Sequence, residues 1–390
     1  MRLCFVVNDD RYFVLHWLAR ARAARSAGMD VHVLVRSSSP VLAATLEVAG
    51  LQVHNLALRS ASRDPVNLLY SGWQIWRFIN RLQPDVVHAI TLKPCLLVAM
   101  LAGRYRMVLS FPGLGRLFTG KGIVTRGLRK LVCRVWRHAA RRPSCLMAFE
   151  HEGDRQCLMR LATLPACNTR VTGVSGVDPS VFTPSVLPNT QPPVVLFAAR
   201  LIRAKGLDTL VGICGALRAS GIALTLRVAG LIVPDDPDAV PAREIRRLVA
   251  RGEIEWLGEV GEHEMPAVLA GATVVALPSR YAEGVPRILL EAASCARPVV
   301  AFDRGGVREL LPDEGCGIRV KDGDIPAFTR ALARVLTDPE YAAHAGKEGR
   351  RRVLQFFTAD VAARRNLQCY TALTGMTFAS TGQPAGEVLP

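Results

Sequence analysis

The sequence predicts an α/β protein with two successive doubly wound parallel sheets. Two observations predict it. Short apolar runs of strand length alternate with helix-length stretches, the rhythm of βαβ units. The rhythm breaks at a cluster of prolines, Pro184, Pro188, Pro192 and Pro193, and then restarts. With 390 residues the chain is long enough for two cores.

In order, Arg2 to Val7 reads as a buried strand, and a helix from about Phe13 to Ala27 stops at Gly28. Val31 to Val35 is a strand, Val66 to Leu82 a helix ending before Gln83-Pro84, and Asp85 to Ala89 a strand. Val124, Leu128, Leu131, Val132, Val135 and Ala139 recur at helical spacing, which makes Ile123 to Ala139 an amphipathic helix. Phe111 to Phe118 reads as a loop beside it. Beyond the prolines come a strand from Val194 to Ala199, a helix from Leu207 to Ser220 and a strand from Leu224 to Ala229, with Gly230 at its end. Ile254 to Leu257, Thr273 to Leu277 and Pro298 to Phe302 follow as strands. A last helix, 359–373, is expected to return to the first half, and the tail 374–390 to be disordered. The expected domains are therefore 1–184 and 185–358, both Rossmann-like and facing a cleft at the carboxyl edges of their strands.

Composition narrows the class. Half of the residues are hydrophobic and 21% charged, as in a globular protein. There is no run of about 18 apolar residues, so no spanning helix is expected. The opening Met1 to Val7, soon followed by Asp9 and Asp10, is too short for a signal peptide. The 10 cysteines form no Cys-x-x-Cys pair, so reduced core thiols in a cytoplasm are expected, without a zinc site or disulfides. The net charge is +16, and no acidic residue lies between Asp85 and Glu150. Such a face seeks anionic lipid, a polyanionic ligand or nucleic acid. No zinc finger, RRM or helix-turn-helix pattern accompanies it, so nucleic acid is not expected. Arg129, Lys130, Arg134, Trp136 and Arg137 suit an anionic headgroup interface; the competing reading is a core helix with a solvated basic face.

The chemistry concentrates in two strings. In Glu283-Gly284-Val285-Pro286-Arg287-Ile288-Leu289-Leu290-Glu291, Pro286 suits the first turn of a helix whose free N–H groups can hold a diphosphate. Gly284 lets backbone approach a ligand. Glu291, in the second turn, can accept from two ribose hydroxyls, and Glu283, in the loop, from sugar hydroxyls. In Arg200-Leu201-Ile202-Arg203-Ala204-Lys205-Gly206, Arg200 and Lys205 leave a strand end together and can meet a diphosphate. Alone, each string also reads as ordinary surface. His88, after Val86-Val87, is expected at a strand end facing the cleft, where it could bond a sugar hydroxyl. Lys93 is either an acceptor-diphosphate ligand or a surface lysine, and His16 is a weaker candidate. Asp236-Pro237-Asp238 has the form of a metal-binding pair but lies among prolines and reads as a polar turn, so no metal or cofactor is expected. Gly305-Gly306 reads as a turn into the next helix.

These strings, with Ser175-Gly176-Val177-Asp178-x3-Phe182-x-Pro184 between the halves, resemble in order and spacing the retaining glycosyltransferases of family 4, which have the GT-B fold. The resemblance covers nearly the whole chain. Val87 to Pro94 and Gly113-Leu114-Gly115 are similar to a bacterial subgroup that adds sugars, often N-acetylhexosamines, to undecaprenyl-diphosphate-linked glycans. The resemblance implies that Arg200 and Lys205 bind the donor diphosphate, Glu283 the donor sugar and Glu291 the ribose, with His88 near the sugar. It implies a nucleoside-diphosphate donor, with UDP favoured, a glycan or polyprenyl-diphosphate-linked acceptor, and a place on the cytoplasmic face of the plasma membrane. Two other readings stand: a sugar-nucleotide epimerase of the same fold, for which no further carboxylate set is found, and a non-catalytic partner of another transferase.

Overall fold

The computed structural model describes residues 1–378 except 60, 61, 63, 102, 103, 121, 235, 282 and 283. It resolves into two units, Met1–Gly176 with the described residues from Ala359 onward, and Val177–Thr358.

The first unit runs β1 (Arg2–Val7), α1 (Asp10–Ser26), β2 (Asp30–Val35), α2 (Pro40–Val48), β3 (Gln52–Asn55), α3 (Pro65–Leu82), β4 (Val86–Ile90), α4 (Leu92–Ala99), β5 (Arg106–Phe111), α5 (Gly115–Thr119), α6 (Ile123–Ala140), β6 (Cys145–Phe149), α7 (Glu152–Ala162) and β7 (Thr169–Val171). The second runs β8 (Val194–Ala198), α8 (Leu207–Ala219), β9 (Thr225–Ala229), α9 (Ala242–Ala250), β10 (Glu255–Gly258), α10 (Met265–Ala270), β11 (Val274–Leu277), α11 (Arg287–Ser294), β12 (Val299–Phe302), α12 (Val307–Leu310), β13 (Ile318–Val320), α13 (Ile325–Thr337) and α14 (Pro339–Phe356). The last helix, α15 (Ala359–Thr374), packs on α1 in the first unit.

The first sheet has the order β3-β2-β1-β4-β5-β6-β7 and is parallel throughout. Its central strands are covered on both faces, which is why they read as unbroken apolar runs. Alternate residues serve different layers. Cys4, Val6, Val87 and Ala89 face Ile75 and Ile79 of α3, Cys95 of α4 and Trp136 of α6. Leu3, Phe5, Val7 and Val86 share the opposite core with Phe13 and Trp17 of α1 and Leu367 and Tyr370 of α15.

Local chemistry sets the boundaries. Helix α1 begins at Asp10, ahead of the expected Phe13, because the Asp9 carboxylate caps it by accepting from the Tyr12 N–H at 2.8 Å. Gly28 takes the left-handed conformation that ends it. Phe111 to Phe118 is not an open loop: Phe111 closes β5 and Gly115–Thr119 is the short helix α5. The units divide at Gly176–Val177, ahead of the boundary drawn at Pro184. The segment between belongs to the second unit because it is bonded there. Val177 N–H donates to the Phe357 carbonyl at 2.9 Å and Ser294 Oγ to the Phe182 carbonyl at 2.8 Å, and just beyond the segment the buried Arg297 donates to the Ser185 and Val186 carbonyls. The expected disordered tail is described only to residue 378; the rest lies outside the described residues.

His88 requires a correction. It is not at a strand end but in the middle of β4, with no exposed surface. Its Nδ1 bonds Tyr370 Oη and its Nε2 bonds Ser110 Oγ, both at 2.7 Å. Burial, with the Arg20 charge adding to it, holds its pKa well below the usual imidazole value, so the ring is neutral. It pins α15 to the sheet and has no surface to offer a sugar. Tyr370→Phe is expected to leave Nδ1 without this partner and to cost about 1–3 kcal/mol of stability. Urea unfolding of the full chain would measure this, with an unchanged midpoint counting against the role.

Candidate functional site

The second sheet has the order β10-β9-β8-β11-β12-β13. The chain leaves β8 towards β9 and β10, then returns to the other side of β8 as β11, so the strand order reverses between β8 and β11. Loops leaving the carboxyl ends of two such strands frame the ligand crevice of doubly wound sheets. They are the two segments that the sequence singled out.

The loop after β8 is held from below. Leu201 N–H donates to the Leu231 carbonyl at 3.0 Å, and Leu201 and Ile202 are fully buried. Arg200, between the strand end and this anchor, stays half exposed. A single 3-10 turn, Arg203–Lys205, carries the chain to Gly206, whose φ of +83° is the left-handed conformation that favours glycine. Asp238 braces the turn: its carboxylate accepts from Ala204 N–H at 2.9 Å and its carbonyl from Arg203 N–H at 2.8 Å. Asp236 lies 3.8 Å from Arg200 Nη1. The Asp236-Pro237-Asp238 segment is thus a turn that supports the basic loop.

The loop after β11 lies directly on the first. A Cβ on Gly206 would overlap the Pro278 carbonyl, and Arg280 N–H donates to the Ala204 carbonyl at 2.7 Å. The Tyr281 ring then serves both cations, with Lys205 Nζ 5.2 Å and Arg200 Cζ 5.6 Å from its centroid. Lys205 is buried, so its charge is fixed in place. Glu283 lies outside the described residues. Gly284 and Val285 rest on Gly306, where a Cβ would come within 2.9 Å of Val285. Pro286 is the residue before α11 and not in its first turn, so the helix starts at Arg287. In its first turn the Leu289 N–H donates to the Pro286 carbonyl at 2.9 Å.

Glu291, in the second turn of α11, is 7% exposed. Arg287, one turn earlier, donates to its Oε1 at 2.6 Å and also pairs with Glu262. Burial raises the carboxyl pKa of Glu291, and the Arg287 charge opposes that rise. Glu291 and Glu259 open on a cavity of about 190 Å³ walled by Ala199, Leu231, Val260, Met265 and Ile288. Gly230 is in its wall because a side chain there would overlap the Ala199 carbonyl. A second, smaller hollow lies beside the α11 start, among Ser279, Tyr281, Gly284, Pro286 and Arg304. The sequence reading missed Tyr281, Arg287, Glu259 and Glu262. Only Arg287, four residues before Glu291, carried a local signal.

The candidates in the first unit fare differently. Lys93 Nζ donates to the carbonyls of Arg59 and Ser62, so it ties a loop to α4. Arg129 donates to the Leu117 carbonyl at 2.9 Å and Arg137 to that of Ala162 at 2.7 Å, which commits both to neighbouring helix ends. Trp136 faces the core, fully buried and stacked 6.0 Å from Phe118, and cannot reach a headgroup. Lys130 and Arg134 are exposed. His16 bonds Ser175 Oγ at 3.3 Å.

Two doubly wound parallel units, the second with two cations gathered over Tyr281, define an α/β protein of the GT-B fold. Residues 182–352 match the family described as glycosyl transferases group 1, and residues 2–139 match glycosyl transferase 4-like. Each half of the chain thus matches a glycosyltransferase family, the 4-like match lying in the first unit and the group 1 match in the second unit. The chain is 31% identical over 185 residues to alpha-maltose-1-phosphate synthase of Mycolicibacterium smegmatis, covering 46% of this chain and 47% of that protein. It is 30% identical over 209 residues to a protein of Escherichia coli K12, covering 51% and 50%, whose assignment as the colanic acid biosynthesis glycosyltransferase WcaL is itself provisional. The chain thus spans about half the length of the curated relatives it matches. In fold it is similar to sucrose-phosphate synthase from Thermosynechococcus elongatus, with a TM-score of 0.76 at 20% identity, covering 96% of this chain and 99% of that one. It is also similar to Anabaena HepE in complex with UDP and glucose, with a TM-score of 0.77 at 17% identity, covering 95% and 99%.

Gly206→Ala forces a side chain into a left-handed residue and into the Pro278 carbonyl. The expected cost is at least about 1–2 kcal/mol from the backbone conformation alone. Calorimetry of the full chain would show a lowered Tm, and a wild-type Tm would mean that the two loops do not meet there.

Proposed function

We propose that the protein transfers a sugar from a nucleoside-diphosphate sugar to a glycan or lipid-linked acceptor in surface-polysaccharide or glycan assembly. The observation that carries the proposal is the convergence of Arg200 and Lys205 on Tyr281, beside the start of a helix that presents Glu291. The cavity at Glu291 is smaller than the roughly 300–1,000 Å³ of a whole-ligand site, and suits the nucleoside part alone. There the Glu291 carboxylate accepts from the ribose hydroxyls. Lys205 and Arg200, beside the start of α11, hold the diphosphate and take up the charge that develops as the anomeric bond breaks. Glu283 is assigned to the donor sugar by resemblance. UDP as the donor nucleotide, an N-acetylhexosamine as the sugar, a polyprenyl-diphosphate-linked acceptor, and transfer with retention on the inner face of the plasma membrane complete the proposal and rest on the same resemblance. Fixed cations at the leaving group supply what a divalent metal would, so activity is expected to survive EDTA.

A thermal-shift series with UDP-, GDP-, ADP- and dTDP-sugars tests the donor site. One donor at about 100 times its Kd is expected to stabilise the protein by about 2.7 kcal/mol. Glu291→Ala and Lys205→Ala are expected to abolish the shift while remaining folded. If folded wild-type protein gives no shift with any donor, the transferase reading fails and the non-catalytic one replaces it.

Glu291 also sets a pH dependence. Donor binding needs its carboxylate form, so affinity falls as pH drops through a pKa already raised by burial. Arg287→Met removes the opposing charge and moves this loss to higher pH. At neutral pH it weakens binding on the order of tenfold, about 1.4 kcal/mol. Calorimetric titration between pH 5 and 8, two arbitrary limits spanning roughly the range of perturbed carboxyls, gives the midpoints. Equal midpoints for both proteins would show that Arg287 does not tune Glu291.

A further inference from the structure

Helix α3 is apolar on two opposite faces. Ile75 and Ile79 enter the core, while Val66, Leu69, Tyr70, Trp73 and Trp76 are exposed at helical spacing. A soluble surface helix has one such face. Single exposed apolar residues are ordinary, but a continuous stripe with two tryptophans marks an interaction surface. Tyr70 stacks on Trp73 at 5.9 Å, and the Arg77 guanidinium lies 5.3 Å from the Trp73 centroid, so the stripe is an ordered patch. Helix α6 repeats the pattern. Val132, Cys133 and Trp136 are buried, while Ile123, Val124, Leu128 and Leu131 are exposed.

The two stripes share one side of the first unit. Helices α3 and α6 cover the same sheet face, with α4 packed between them. Each runs back from the carboxyl edge of a parallel sheet, and all of the exposed apolar residues but Trp76 sit in the N-terminal halves, towards that edge. Lys93 fixes this arrangement by tying the loop before α3 to the start of α4.

Charge selects the occupant. Arg77 and Arg81 on α3 and Arg126, Lys130 and Arg134 on α6 are exposed, and neither helix contains an acidic residue. A second copy of this face would bring like charges together. An anionic bilayer offers headgroup charge for the arginines and an acyl boundary for the tryptophans and leucines. We infer that the exposed stripes of α3 and α6 form one docking surface for an anionic phospholipid bilayer, with Tyr70, Trp73 and Trp76 as its interfacial anchors. This deepens the membrane placement proposed above, and gives α3 the aromatic role that the buried Trp136 cannot fill.

The full chain is mixed with phosphatidylglycerol/phosphatidylcholine vesicles that carry brominated acyl chains. Wild-type protein is expected to co-sediment with the anionic vesicles and not with phosphatidylcholine alone, and its tryptophan emission to be quenched. Trp73→Ser with Trp76→Ser is expected to weaken vesicle binding by about tenfold or more, since interfacial binding scales with buried apolar area. Trp73→Phe with Trp76→Phe is expected to retain binding and lose most of the quenching, because of the three remaining tryptophans Trp17 and Trp136 are buried and the half-buried Trp256 is on β10 of the second unit, not on the docking helices. Binding that survives the serine pair overturns the inference. So does a lipid-free dimer that the serine pair abolishes, which would make the face a self-association surface. The donor-induced thermal shift, measured on the same variants, is expected to stay intact, so failure of docking and failure of the donor site are read separately.

Discussion

The missing side chain at Gly206 lets the loop after β8 lie against the Pro278 carbonyl, and the rest of the second unit's site is arranged around that approach. The close contact brings Tyr281 within reach of both Arg200 and Lys205. It also sets the basic turn beside the segment that leads into α11. The turn is braced from beneath by Asp238 and the second loop by Gly306, so both walls are positioned by backbone contacts. This rigidity suits the role proposed for the two cations, because charges already in place need not reorganise as charge develops.

Glu291 shows how the same region balances opposing terms. Burial makes its ionised form costly, and Arg287 compensates through a short, charge-assisted hydrogen bond. Arg287 is itself held by Glu262, from a loop far from α11 in sequence. The carboxylate thus stays oriented at the cavity mouth by a chain of two ion pairs, only the first of which lies on its own helix.

The motifs of the second unit were legible because strand, loop and helix start follow one another locally there: Arg200, Lys205, Gly284 and Glu291 fall on the strand end, turn, loop and helix where their spacing places them. Pro286 differed by one position, within the ordinary uncertainty of a helix end. What failed depended on neighbours distant in sequence. A strand buried on both faces shows no periodicity, so its ends are poorly marked. Reading β4 one residue early put His88 near an end, whereas Ser110 and Tyr370 enclose it in the middle. Trp136 was read from its arginine neighbours, but the rotation of α6 turns it towards Phe111 and Phe118. The prolines after residue 183 signalled irregular chain correctly, yet that chain is fastened to Ser294 and Arg297 and does not mark the unit boundary.

The return of α15 to the first unit has a consequence for synthesis. All seven strands of that unit are made before the second unit begins, but Leu367 and Tyr370 of its core come last. Until the ribosome has delivered α15, the patch around Phe5, Trp17 and His88 lacks its cover, and the His88 ring lacks its Tyr370 partner. Domains usually complete themselves in the order they emerge. Here the unit begun first is finished after the second, and a chain cut at residue 176 has a whole sheet without a whole core.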